Sequence, residues 1–267
     1  MRCKIFFLFS FFLFFSCEVK KEITPKYLFK IGEEQACKLN GNANLSVDMG
    51  LFSTESKITF KAEVKFNPSE TNKYGYKIKM DINNPEIDGV SEQLRAAFLI
   101  GVNYIRRVLG EFHIDEYGRS KVFINNTEIF YLSYFVGLLF TDLTYINTPK
   151  SFSTNIIGWI NNFPTVTKYN EQQYVKEKSF SSILIYQKGE LTTYEKEEFE
   201  KSIEPRKMGE ASYEIQNQFN PLEGKIPDKK ATFSIEYDIP VKQGFITTYI
   251  KIKCKGELTL IKGDKQI

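Results

Sequence analysis

The groups able to do chemistry in this chain are few, and their spacing is poor. Its single histidine, His113, is followed by Asp115 and Glu116, a set that could move protons. The same three residues lie between an apolar segment and Tyr117-Gly118, where charge in a hairpin turn needs no catalytic reason. No Cys-x-x-Cys, His-x-x-x-His or calcium loop occurs, and one histidine cannot complete a zinc site with two cysteines unless carboxylates join. There is no Gly-x-Ser-x-Gly elbow and no glycine-rich phosphate loop before a helix. Paired carboxylates such as Glu33-Glu34 and Glu197-Glu198 sit in charge-rich stretches. The expectation is a protein that is not an enzyme, with no metal and no cofactor.

Of the four cysteines, Cys17 has the most telling surroundings. Arg2 and Lys4 precede an apolar run, Ile5 to Phe15, which ends at Ser16-Cys17 and then charge. The run is shorter than the roughly 20 residues of a membrane span and has the flanks of an export signal. This order resembles the lipobox of bacterial lipoproteins, in a relaxed form with Leu13 one place early and Phe15 at a small-residue position. The residues alone also allow an uncleaved anchor or a secretory signal without lipid. The resemblance implies a signal over 1–16, a lipid such as diacylglycerol or palmitate on Cys17, and a tether over 17–26. It places the protein in the cell envelope, held to a membrane, the outer more than the inner. Without Arg2 and Lys4 the chain has 34 basic residues against 33 acidic, so it is not an electrostatic nucleic-acid binder. With Cys3 removed and Cys17 acylated, Cys37 and Cys254 remain as one pair in an oxidising compartment. A disulfide between them is the expectation.

The elements that must position these residues are mostly strands. Odd positions from Cys37 to Leu51 are apolar or small and even ones polar, a period of two. The pattern repeats over Ile58–Phe66, Tyr74–Ile82, Ala231–Ile239 and Ile246–Leu260, with a shorter run at Phe180–Ile185. Gly41 within the first suggests a bend or bulge. Cys37 and Cys254 both point inward by parity, which makes the first and last long strands neighbours. Ser91 to Phe112 has apolar residues at helical spacing. Ile129 to Ile146, nearly all apolar, reads as a second helix, and 151–163, with Trp159, as a shorter helical piece. The segment Ile183-x-Ile185-x-x-Lys-Gly-Glu-Leu-Thr recurs from Ile250.

The fold expected is α+β, one domain over 27–267 with a helical insertion at about 91–162. A long curved antiparallel sheet, a half-barrel or two facing sheets, would pack on that central helical segment. This layout is similar to the half-barrel with helical lid of periplasmic lipoprotein carriers. The resemblance implies a non-enzymatic protein holding a lipid or other hydrophobic ligand between sheet and helices. Phe98, Val102, Ile105, Phe135, Leu139 and Trp159 would line that site. The rival reading is a surface interaction or adhesion lipoprotein with a filled core.

Overall fold

A computed structural model describes residues 25–50, 52–146, 150–160, 163–243 and 246–263. The signal, Cys17 and most of the tether lie outside these residues. The chain runs β1 (Gln35–Asp48), β2 (Ser53–Asn72), β3 (Gly75–Asp88), α1 (Glu92–Leu109), β4 (Glu111–Ile114), β5 (Ser120–Lys121), β6 (Phe123–Ile124) and β7 (Thr127–Glu128). It continues with α2 (Phe130–Leu139), a 3-10 turn (Leu143–Tyr145), β8 (Lys150–Ile160), β9 (Phe163–Lys178), β10 (Ile183–Glu195), α3 (Lys196–Lys201), β11 (Lys207–Phe219), β12 (Asp228–Gln243) and β13 (Ile246–Lys262). Among the described residues eleven strands form one sheet in the order β5-β4-β3-β2-β1-β13-β12-β11-β10-β9-β8, each pair antiparallel. The sheet is curved and does not close on itself, so the fold is α+β built on one long curved sheet. Bulges between Lys61 and Glu63, Pro68 and Glu70, Leu184 and Ile185, and Thr193 and Tyr194 add local bend.

β1 and β13 are neighbours, as inward cysteines on both suggest. Their register nevertheless rules out the Cys37–Cys254 bridge. Cys37 faces Lys262, and Cys254 faces Leu45. Eight residues separate Cys37 from Leu45 along β1, about 27 Å at the rise of a strand, far beyond disulfide reach. Both thiols are free. Parity placed them on one face, but parity says nothing about position along the strand.

Two helical expectations also change. The apolar run Ile129–Ile146 is not one helix: α2 stops at Leu139, Phe140 is extended, and the Asp142 carboxylate caps the 3-10 turn at the Thr144 N–H, 2.9 Å away. Residues 150–160 are a strand paired along its length with β9, so the helical part of the insertion ends near residue 146. Gly41 makes no bulge, since β1 pairs in unbroken register through it. A Cβ there would lie 2.6 Å from both the Phe60 ring and Leu258, so glycine lets these side chains from β2 and β13 close over β1.

Candidate functional site on the inner sheet face

Cross-strand register defines one face of the sheet as the inner one, and its two ends differ. The core lies where β1, β3, β10 and β12 begin and β2, β9, β11 and β13 finish. Val64, Phe66, Ile78, Met80, Phe112, Ile183, Ile185, Phe219 and Leu260 are buried there. Onto them sink Leu132, Val136 and Phe140 from α2 and its end, and Tyr27 and Phe29 from the segment before β1. The Phe140 ring meets the rings of Tyr27, Phe29, Phe66 and Phe112 at centroid distances of 5.6–6.2 Å. The Tyr27 hydroxyl accepts from the Thr141 N–H at 2.9 Å, tying the incoming chain to the end of α2. Burial drives the Tyr27 phenol well above its ordinary value and the Cys37 thiol up to about 12. Cys37 is therefore an inert, protonated core thiol.

Beyond this plug the same face stays apolar but loses its cover. Successive rows across β2, β1, β13 and β12 read Phe60, Gly41, Leu258, Ala231; then Ile58, Ala43, Gly256, Phe233; then Ser56, Leu45, Cys254, Ile235; then Thr54, Val47, Ile252, Tyr237. Ile250 and Ile239 form a further pair. All the large apolar residues in these rows are only half-buried. The helices pack elsewhere: α1 on β3, α2 on β5, α3 on β9 and β10. An open apolar trough of four strands' width results, running from Leu258 to Ile250, about 27 Å by strand rise.

On the β8–β11 side the inner face turns polar. Glu171 is buried and accepts from the hydroxyls of Tyr169 and Tyr213, which also meet each other. The Tyr213 ring lies across Gly189, where any side chain would displace it. A chain of amides follows. Gln173 donates to the Asp142 carbonyl at 2.7 Å, Gln187 to Gln173 at 3.4 Å, and Asn217 to Gln187 at 2.8 Å. Lys229 donates to Asn217 and, at 3.2 Å, to the Thr141 hydroxyl. Burial pulls the Lys229 ammonium down to about 7, partly offset by Glu171. A pocket of about 290 Å³ opens between this cluster and α2, with Phe152, Glu171, Gln187, Asp142, Ser133 and Leu138 in its wall.

The six ligand residues expected from sequence do not converge. Phe98 is half-buried and packs its ring 6.0 Å from that of Phe60, at the trough's edge. Val102 is buried and Ile105 is 41% exposed, so Ile105 faces away from any interior. Leu139 is half-buried against the core. The side chains of Phe135 and Trp159 lie outside the described residues, and Trp159 stands on β8, not on a helix. α2 fills one end of the inner face, while α1 runs beside β3 and reaches the trough at Phe98. The candidate lining belongs instead to strand residues that alternation had already turned inward.

The acid-base set around His113 also comes apart. The Asp115 carboxylate accepts from the Tyr117 and Arg119 N–H groups, and Glu116 pairs with Lys26 at 2.9 Å. His113 packs edge-on against Tyr74 and Phe123 and meets Asn72 at 3.0 Å, and burial lowers its pKa. Among the described residues no three His, Cys, Asp or Glu side chains gather as metal ligands, and no helix is long and apolar enough to cross a membrane.

No family model matches the chain, and no curated protein does. Solved structures resemble it only distantly, two of them as follows. A lipovitellin structure described for its lipid–protein interactions aligns with 88% of this chain and 25% of its own, at 10% identity and a TM-score of 0.43. DynF, from the dynemicin biosynthesis pathway of Micromonospora chersina, aligns with 91% and 87%, at 5% identity and a TM-score of 0.24. The chain spans about a quarter of the lipovitellin chain's length.

Proposed function

We propose that this protein is a non-enzymatic, lipid-anchored carrier or binder that holds an acyl chain or similar elongated apolar ligand along the open half of its inner sheet face. The observation that carries the reading is the continuity of that face. Leu45, Val47, Ile58, Phe60, Ile235, Ile239, Ile250 and Ile252 extend the core's own face yet remain only partly buried. A contiguous apolar patch on a sheet face is normally covered by an element of the fold or by a partner molecule. A ligand laid there gains roughly 0.8 kcal/mol for each methylene it buries. The order Arg2, Lys4, apolar run, Ser16-Cys17 supports acylation of Cys17 and a place in the cell envelope.

The test is lipid occupancy. Solvent extraction and native mass spectrometry of purified protein should recover bound lipid, and a fluorescent fatty acid should be retained. Ile252→Glu places a charge in the trough without touching the buried core. It should leave the folded circular dichroism signal intact and weaken fatty-acid retention at least tenfold. Equal retention by both proteins removes the reading. For the anchor, Cys17→Ser should abolish acyl labelling and release the protein from the membrane fraction; persistent labelling would place the lipid elsewhere.

A further inference from the structure

The two edges of the sheet are finished differently. At one, β5 and β4 are short, and α1 lies against β3, with Arg95 and Arg106 paired to Asp88 and Asp81. At the other, β8 pairs with β9 on one side, and no described strand pairs on its outer side. A long bare edge presents a row of N–H and C=O groups ready to accept another strand. Proteins ordinarily blunt such edges with lysine, proline or a bulge. β8 has one of these, Lys150 at its first residue, and none further along. Ser151–Ile160 carries no charge and no proline, and its register with β9 is unbroken. Every other strand of ten or more residues here carries at least two charged residues, whereas β8 has Lys150 alone. The strand has β-branched residues at 154, 156, 157 and 160, and Ile157 is 63% exposed.

We infer that β8 is an interface for a second copy of this chain, the two β8 strands pairing antiparallel about a two-fold axis near Asn155. Neutrality selects the partner. An antiparallel pair of identical strands sets residues against each other symmetrically, and like charges directly opposite are destabilising. With 151–160 uncharged and Lys150 set opposite Ile160 of the other copy, a β8 pair opposes no like charges. With the axis at Asn155, Thr154 faces Ile156, Ser153 faces Ile157, and Asn155 meets its own copy. An amide carries both donor and acceptor, so it suits that self-facing position. A two-fold perpendicular to the sheet keeps both inner faces on one side of the joined sheet.

Sedimentation of the full-length chain in density-matched detergent tests this. Wild type should run at the mass of two copies. Asn155→Lys, at an exposed position, opposes two like charges at the axis and should weaken association at least tenfold, while Asn155→Thr should not. Hydrogen exchange supplies a readout independent of any variant. In a strand paired on one side, alternate amides face outward and exchange freely; in the dimer, both sets within 151–160 should be protected. A single-copy mass for wild type overturns the inference. So do freely exchanging alternate amides, or protection supplied by a strand of a different protein.

Discussion

The closed and open ends of one sheet face are built from the same kinds of residue and end in different states. At the closed end Phe66, Ile78, Ile183 and Ile185 are almost fully buried, because Tyr27, Phe29, Val136 and Phe140 are laid over them. At the open end Ile58, Leu45, Ile252 and Ile235 have the same inward parity and nothing comparable above them. Alternation in sequence reports which face a residue is on. It does not report whether that face is covered, and coverage separates a core from a binding surface.

Four measurements would break or sharpen this contrast, the largest effect first. Phe140→Ala removes the ring at the centre of the aromatic plug and should cost about 3–5 kcal/mol in urea unfolding. Leu139→Ala, one residue earlier but half-buried, should cost clearly less and leave fatty-acid retention unchanged. A loss of retention there would return α2 to the ligand site.

The second concerns the polar flank. Lys229 has a folded pKa depressed to about 7 from 10.5, so between those values the unfolded chain binds more protons than the folded one. Its contribution to stability therefore rises as pH climbs from about 7 towards 10.5, and is absent below about 7. Lys229→Met should flatten that rise relative to wild type in urea midpoints across this window. Parallel profiles would mean that the ammonium is not desolvated in the fold.

The third is Ile252→Ala in the trough, expected to cost clearly less than Phe140→Ala, about 2 kcal/mol, because its side chain is only partly buried. A loss as large as that of Phe140→Ala would show the open end to be packed after all. Last, Cys254→Ser should shift stability by no more than about 0.5 kcal/mol, and peptide mapping of the unfolded wild type should find Cys37 and Cys254 both alkylated.

Much of the sheet was legible because charge and apolarity alternate strictly in β1, β2, β3, β12 and β13, and α1 because its stripe has helical spacing. β9 and β11 were not. Their inward residues are Tyr169, Glu171, Gln173, Tyr213 and Asn217, so alternation is present but carried by polar groups that satisfy one another. β8 lacks alternation because it is an edge, where side chains on both faces reach solvent. The ligand residues were sought on the helices because the longest apolar run lies there. That run is apolar because it is the plug. The recurrent Lys-Gly-Glu-Leu-Thr segments fall in β10 and β13, where Gly189 stands opposite Tyr213 and Gly256 opposite Phe233. Tyr213 and Phe233 are themselves a cross-strand pair, so the repeat sets a glycine on either side of two aromatic rings.

The pairing of β1 with β13 also governs when the molecule becomes whole. β1 to β3 form one meander and β8 to β13 another, each from strands adjacent in sequence. Their junction joins Cys37 to Lys262 and Asp48 to Lys251, the longest loop closure in the fold. A chain leaving a ribosome or an export channel can assemble β2 on β1 early. The other edge of β1 then stays bare until the last strand arrives. During that interval the edge of β1 is as bare as that of β8, but its lysine at 38 and aspartate at 48 are charges that discourage a wrong partner.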